Sequence, residues 1–169
     1  NYDQNTCCIG SFETVVDFWR YYNNYPKPSK IFFDGKSKPM LKTPDREISS
    51  ISLFREGIEP KWESIHNKNG GALAIRKFNN LAEMDTIWEQ LSILCIGEQF
   101  SNYGQINGIR IVDSSIPQNR KILHRIEIWL SDVTSKDQIE KEFKQFLHID
   151  PLVQLHFKDN STAVEGKNI

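Results

Sequence analysis

Hydrophobic positions recur along this chain with two different periods, and the switches between them divide it into elements. In TVVDFWRYYN and just before it, Phe12, Val15, Val16, Trp19 and Tyr22 fall at helical spacing. Thr14 followed three residues later by Asp17 is a capping-box variant that places the helix start. ISSISLF (48–54) and ALAIRKF (72–78) read as strands. Met84, Ile87, Trp88, Leu91, Leu94 and Cys95 then mark one apolar stripe of a second helix. KILHRIEIWL (121–130) alternates, with Ile122, Ile126, Ile128 and Leu130 on one side and Arg125, Glu127 and Trp129 on the other. Ser135 with Gln138 resembles another capping box, followed by Ile139, Phe143, Phe146 and Leu147 in a third helix. LVQLHF (152–157) reads as a last strand. Consecutive strands joined by short loops predict an α+β sheet with helices gathered on one face.

One stretch breaks the pattern. PKPSKIFFDGKSKPMLKTPDR (26–46) holds four Pro and one Gly, and reads as a long, irregular and mobile loop. Residues 20–42 carry six Lys or Arg against one Asp, which makes this loop a basic arm. No internal repeat and no linker appears, so 1–169 reads as a single domain.

Composition narrows the function. With 169 residues, 38% hydrophobic and 25% charged, the chain is an ordinary soluble globular protein with room for a real core. A formal net charge of -1 gives no global basic field, so a polyanion would have to meet a local patch. Three Cys (Cys7, Cys8, Cys95) are odd in number and lack metal spacing, which points to a reducing compartment and a cytoplasmic location. No apolar run of about 18 residues, signal-peptide pattern or lipidation motif is present, so no membrane is expected. The chain opens on Asn1 rather than Met and reads as a piece of a longer protein. His66, His124, His148 and His156 are scattered, and no nucleophile elbow, P-loop or GxGxxG occurs. Neither an enzyme nor a cofactor is expected.

The chemistry concentrates in GIEPKWESIHNKNGG (57–71), where a large aromatic, Trp62, precedes a carboxylate, Glu63. Composition alone favours a core or half-buried Trp and a solvated acid. Pro60, however, denies Trp62 a central strand position, so its ring can stand at the rim of the sheet. An exposed Trp face stacks on a base for about 1–3 kcal/mol, and on a cationic ring for more. The neighbouring carboxylate can accept a pair of hydrogen bonds from guanine N1–H and the 2-amino group, a pair the other bases lack. Alkylation at N7 makes guanine positive and strengthens both interactions. Trp62 with Glu63 is therefore suited to reading N7-methylguanine.

DFWRYYN, LFREGIEPKWES, NKNGG and LCIGEQF, in this order and spacing, resemble the eukaryotic translation initiation factor 4E family, the messenger RNA cap-binding proteins. The resemblance covers about residues 2–157. NYDQN, IGSFETVVDFWRYY, NKNGG and GEQF look most like the 4E homologous protein branch, which carries Tyr at its first cap-sandwich position. The resemblance implies a curved, mainly antiparallel sheet with three helices on its convex face and the cap site on its concave face. It implies Tyr2 and Trp62 as the two plates around the methylated base and Glu63 on its Watson–Crick edge. The Trp62 backbone N–H would bind O6, and Trp129 would lie near the N7-methyl group. Its rival reading is a packing residue of the concave face. For the phosphates, Arg125 matches one family position. The other falls at Ser114, with Arg110, Arg120 and Lys121 as possible substitutes and Lys167 in reach of a second nucleotide.

Departures from the family pattern accompany these matches. Ala72 and Leu73 stand where relatives often carry a basic residue and a Trp, and the 26–46 loop is longer than usual. This loop reads as a solvated insertion, or alternatively as added RNA affinity. The first family strand, with its His-Pro element, is absent. The implied partner is a helical segment with a Tyr and a Leu pair from an initiation scaffold or a repressor. It would dock on Val15, Trp19, Glu89, Gln90, Ile93, Ile96 and Gly97. Two rivals remain: a scaffold of the same fold that has lost cap binding, and a cap-cleaving hydrolase, for which the acids are too scattered.

Overall fold

The computed structural model describes residues 6–38, 42–43 and 46–162. Lys42–Thr43 (β1) and Arg46–Glu47 (β2) form a short antiparallel pair. The main sheet comprises β3 (Ser50–Phe54), β4 (Gly71–Ile75), β5 (Ile106–Asp113), β6 (His124–Leu130) and β7 (His156–Asp159). Its order is β3-β5-β6-β4-β7, antiparallel throughout. The helices are α1 (Val15–Asn24), α2 (Leu81–Ile96) and α3 (Lys136–Phe146). The sheet is open and curved. It has the α+β architecture expected from the sequence.

Strand alternation assigns the two faces. Ile109, Ile111, Ile126, Ile128 and Leu130 join one hydrophobic core with Met84, Ile87, Trp88 and Leu91 of α2 and Ile139 and Phe143 of α3. Tyr22 of α1 packs against the same core. All three helices therefore cover this face, and Arg110, Glu127 and Trp129 point to the other one.

Thr14 caps α1 by accepting from the Asp17 backbone N–H at 3.1 Å, as the sequence suggests. The buried residue of α1 is Phe18, whereas Val15 and Val16 are 57% and 61% exposed. At α3 the expected capping box does not form. Ser135 makes no side-chain cap, and the Gln138 amide donates instead to Glu142 Oε1 at 2.6 Å. β5, expected only as a strand around Arg110 without bounds, is obscured in the sequence because a register shift between Ile106 and Gly108 interrupts its alternation. β6 starts at His124 rather than at 121, since Ile116 and Lys121 bridge early and leave Ile122 in the connection. β7 begins four residues later than expected, because a turn at Asp150 accepts the Leu152 and Val153 N–H groups.

The largest difference concerns the stretch after α1. Within 26–38 it contains one short 3-10 turn, Pro28–Lys30. Yet Ile31 and Phe32 are 0% exposed and belong to the core, with Phe33 buried beside them. Ser29 ties it to α2 by donating to both oxygens of Asp85, from Oγ at 2.5 Å and from N at 2.9 Å. At its far end Asp113 accepts from the Phe33 N–H at 3.0 Å and pairs with Lys38 at 3.3 Å. His124 Nε2 lies 3.5 Å from the same carboxylate. Residues 26–38 are thus a structural part of the core, not a solvated insertion.

Candidate functional site

The face opposite the helices is built in cross-strand rows. One row runs Lys158, Ala72, Trp129, Gly108, Phe54, and the next runs His156, Ala74, Glu127, Arg110, Ser52. Small residues at Ala72, Ala74 and Gly108 leave the long side chains standing over a low floor. Gly108 is required there: a Cβ would sit 2.4 Å from the Phe54 ring. That ring meets Trp129 edge-on at 5.5 Å. Trp129 is only 5% exposed, and its indole Nε1 donates to Glu127 Oε2 at 2.9 Å.

The loop carrying the candidate base-reading pair leaves the sheet at Phe54 and returns at Gly71. Both ends lie beside Trp129, because Phe54 pairs with Gly108, Gly108 with Trp129, and Ala72 with Trp129. In this loop Trp62 is half-buried and Glu63 is exposed. Three asparagines hold it. Asn67 is wholly buried, and its amide donates to the Glu59 and Lys61 carbonyls at 2.8 Å each. Asn107, at the register shift of β5, donates to the His66 carbonyl and to Asn67 Oδ1 at 2.7 and 2.8 Å. Asn160, just past β7, donates to the Asn67 carbonyl at 2.9 Å. Arg55 closes the entry by donating to the Ile106 and Tyr103 carbonyls at 2.8 Å each. The backbone around Trp62 and Glu63 is therefore pinned from both sides of the sheet. These asparagines escaped the sequence reading.

The cations expected for phosphate fall into two groups. Arg110 and Arg125 lie on the same face as Trp129 and flank Glu127. Arg110 donates to Ser50 Oγ at 3.1 Å, and its buried Nε has no hydrogen-bond partner. Arg125 donates from Nε to Glu127 Oε1 at 2.5 Å and from NH1 to Ser114 Oγ at 2.6 Å. Ser114, the position where the family Arg was expected, thus serves as a support for Arg125. Arg120 and Lys121 are exposed in the connection between β5 and β6. That connection lies at the other end of the sheet, about 17 Å from Gly108 at strand rise. Lys158, which carries no signal in the sequence, and His156, one of the scattered histidines, share the Trp129 face and are exposed. Tyr2 and Lys167 lie outside the described residues.

A second candidate surface lies on the helical side. Val15 and Ile93 are exposed, and Trp19 and Ile96 are half-buried. Gln90 and Gly97 are exposed, and Glu89 is half-buried. Tyr22 links the two helices: its ring meets Trp19 edge-on at 5.5 Å, and its hydroxyl donates to Glu89 Oε2 at 3.1 Å. Burial first, and then the Glu89 and Asp85 charges, hold the Tyr22 phenol well above its usual range. Among the described residues no group of three His, Cys, Asp or Glu is placed to hold a metal, and no helix is long and apolar enough to cross a membrane.

Known proteins match this arrangement. The family model described as eukaryotic initiation factor 4E matches residues 1–169. The eukaryotic translation initiation factor 4E of Dictyostelium discoideum is 30% identical over 85% of this chain, which spans 50% of that protein. The human factor is 26% identical over 93% of the chain, which spans 66% of it. The chain thus spans half to two thirds of these relatives' length. Among solved structures, Ascaris suum eIF4E-3 with m7G cap is 25% identical with a TM-score of 0.72, covering 89% of this chain and 76% of that one. C. elegans eIF4E-3 with the 4E-binding protein Mextli and cap analog is 26% identical with a TM-score of 0.68, covering 91% and 79%. With the whole length matched and the sheet, helices and loop in place, this chain belongs to the eukaryotic initiation factor 4E family.

Proposed function

We propose that this chain binds the 7-methylguanosine 5′ cap of messenger RNA and couples it to a helical segment of a partner protein, in translation initiation or its repression. The observation that supports this reading is the pinned loop: it carries Trp62 and Glu63, and its two ends join the sheet beside Trp129. Trp62 stacks on the methylated base with Tyr2 as the opposite plate, and Glu63 accepts from N1–H and the 2-amino group. Arg125, Arg110 and Lys158 supply the positive charge for the phosphates. Val15, Trp19 and Ile93 offer the apolar ground on which a partner helix docks. No bond is made or broken in this function, and no cofactor takes part.

A tryptophan-fluorescence titration tests it, comparing 7-methyl-GTP with GTP on this chain, Trp62→Ala and Glu63→Gln. Quenching by the methylated nucleotide alone, lost in both variants, is the expected result. Equal quenching by GTP overturns the cap reading. A scaffold that binds partners without cap is the second reading, favoured by the Glu127 carboxylate that occupies Arg125. It predicts no quenching with intact binding of a partner helix.

A further inference from the structure

Among the described strand residues of the five-stranded sheet, Glu127 is the only carboxylate on the Trp129 face, where the proposed ligand brings negative charge. It is 7% exposed, a position in which an acid must be fully paired to be tolerated. Both of its oxygens are used: Oε1 accepts from Arg125 Nε at 2.5 Å and Oε2 from the Trp129 indole at 2.9 Å. Arg110 is its partner across the ladder and has an unpartnered buried Nε. One acid thus pairs with the Arg125 guanidinium, faces a second arginine across the ladder, and accepts from one indole.

We propose that Glu127 is a positioning and specificity-determining residue. It orients Trp129 and Arg125 and offsets about one of the two guanidinium charges, so that this site draws less of its binding from the phosphates and more from the base. The proposal rests on the cap reading for its ligand, but its core is electrostatic and is measurable without any base. A phosphate chain approaching Arg110 and Arg125 meets a reduced positive field, and it must compete with a carboxylate already hydrogen-bonded to Arg125. Glutamine in place of Glu127 keeps an acceptor for the indole and removes the charge.

The test measures binding of inorganic tripolyphosphate, 7-methyl-GMP and 7-methyl-GTP to the wild-type chain, Glu127→Gln and Glu127→Ala, at two salt concentrations. Glu127→Gln is expected to bind tripolyphosphate about two- to five-fold tighter than wild type, the size of a partly exposed ion pair, with a steeper loss on adding salt. The ratio of 7-methyl-GTP to 7-methyl-GMP affinity rises by a similar factor. Glu127→Ala, which also removes the indole acceptor, binds 7-methyl-GMP more weakly than Glu127→Gln does. Arg125→Gln supplies an arm that leaves Glu127 in place. It strands the carboxylate beside the phosphates and is expected to weaken tripolyphosphate binding more than Lys158→Gln does. Equal tripolyphosphate binding by wild type and Glu127→Gln, or equal losses in Arg125→Gln and Lys158→Gln, overturns the proposal. Failure of the wild-type chain to prefer 7-methyl-GTP over GTP overturns the cap reading and leaves the tripolyphosphate comparison decisive for Glu127.

Discussion

Asn67 shapes the loop that carries Trp62 and Glu63. It bonds to two carbonyls of its own loop and to Asn107 from inside the fold, with no contact to solvent. Asn67→Ala removes the partner of two loop carbonyls and of the buried Asn107 amide. It is expected to cost about 1–3 kcal/mol in urea unfolding, and to weaken 7-methyl-GTP quenching although Trp62 and Glu63 are unchanged. The sequence made Trp62 and Glu63 legible because Pro60 and Gly70 bracket them as a loop. It hid Asn67, since an Asn in a turn-rich stretch reads as a turn former and its partner stands forty residues away. Glu127 was visible as the polar side of an alternating strand, but its burial depends on Arg125 and Trp129 closing over it. The cysteines give a separate check. Cys7 and Cys8 are exposed, while burial, against the Arg55 charge, pushes the Cys95 thiol up to about 12. A thiol reagent on the native protein at neutral pH is therefore expected to modify Cys7 and Cys8 well before the half-buried Cys95.

Among the elements, the 26–38 segment departs most from its sequence pattern. Pro, Gly and Lys density reads as solvated loop, and only the three-residue run Ile31–Phe33 carries the opposite message. That run fills the core against α2 and the sheet. Phe32→Ala is expected to destabilise the fold by about 3–5 kcal/mol, as buried aromatics do, measured by chemical denaturation. A loss near zero would mean the segment is peripheral after all. The bounds of β5 were hidden for a different reason. Its register shift at Asn107 breaks the period-two signal, and the same irregularity turns that side chain towards the loop. The three helices were legible as elements from apolar positions at helical spacing, but not every face was: in α1 Phe18 is buried while Val15 and Val16 of the expected stripe are exposed, and at α3 the Ser135 cap proves silent.

At the scale of the molecule, Asp113 joins the 26–38 segment to the end of the sheet. Burial alone would raise its carboxyl, but the nearby His124 ring and hydrogen bonds from Ser115 and the Phe33 backbone outweigh it and hold the pKa well below the usual 3.8. Since folding lowers this pKa, the unfolded chain takes up the proton first. The stabilisation is complete above about pH 5 and is lost as pH falls through about 4 and below. The thermal midpoint is expected to drop over that range in wild type, and to start lower and change less in Asp113→Asn. The α+β class was readable from the order of elements, whereas strand order was not, because pairing across long separations leaves no local signal.

That strand order also sets how the chain can fold. In the described five-stranded sheet only β5 and β6 are neighbours both in sequence and in space. β3 waits for β5, and β4 waits for both β6 and β7. During synthesis, the loop bearing Trp62 and Glu63 is therefore made long before the strands that anchor its two ends. Two early strands stay unpaired in the meantime, a topology that folds slowly and offers open edges to neighbours and to chaperones.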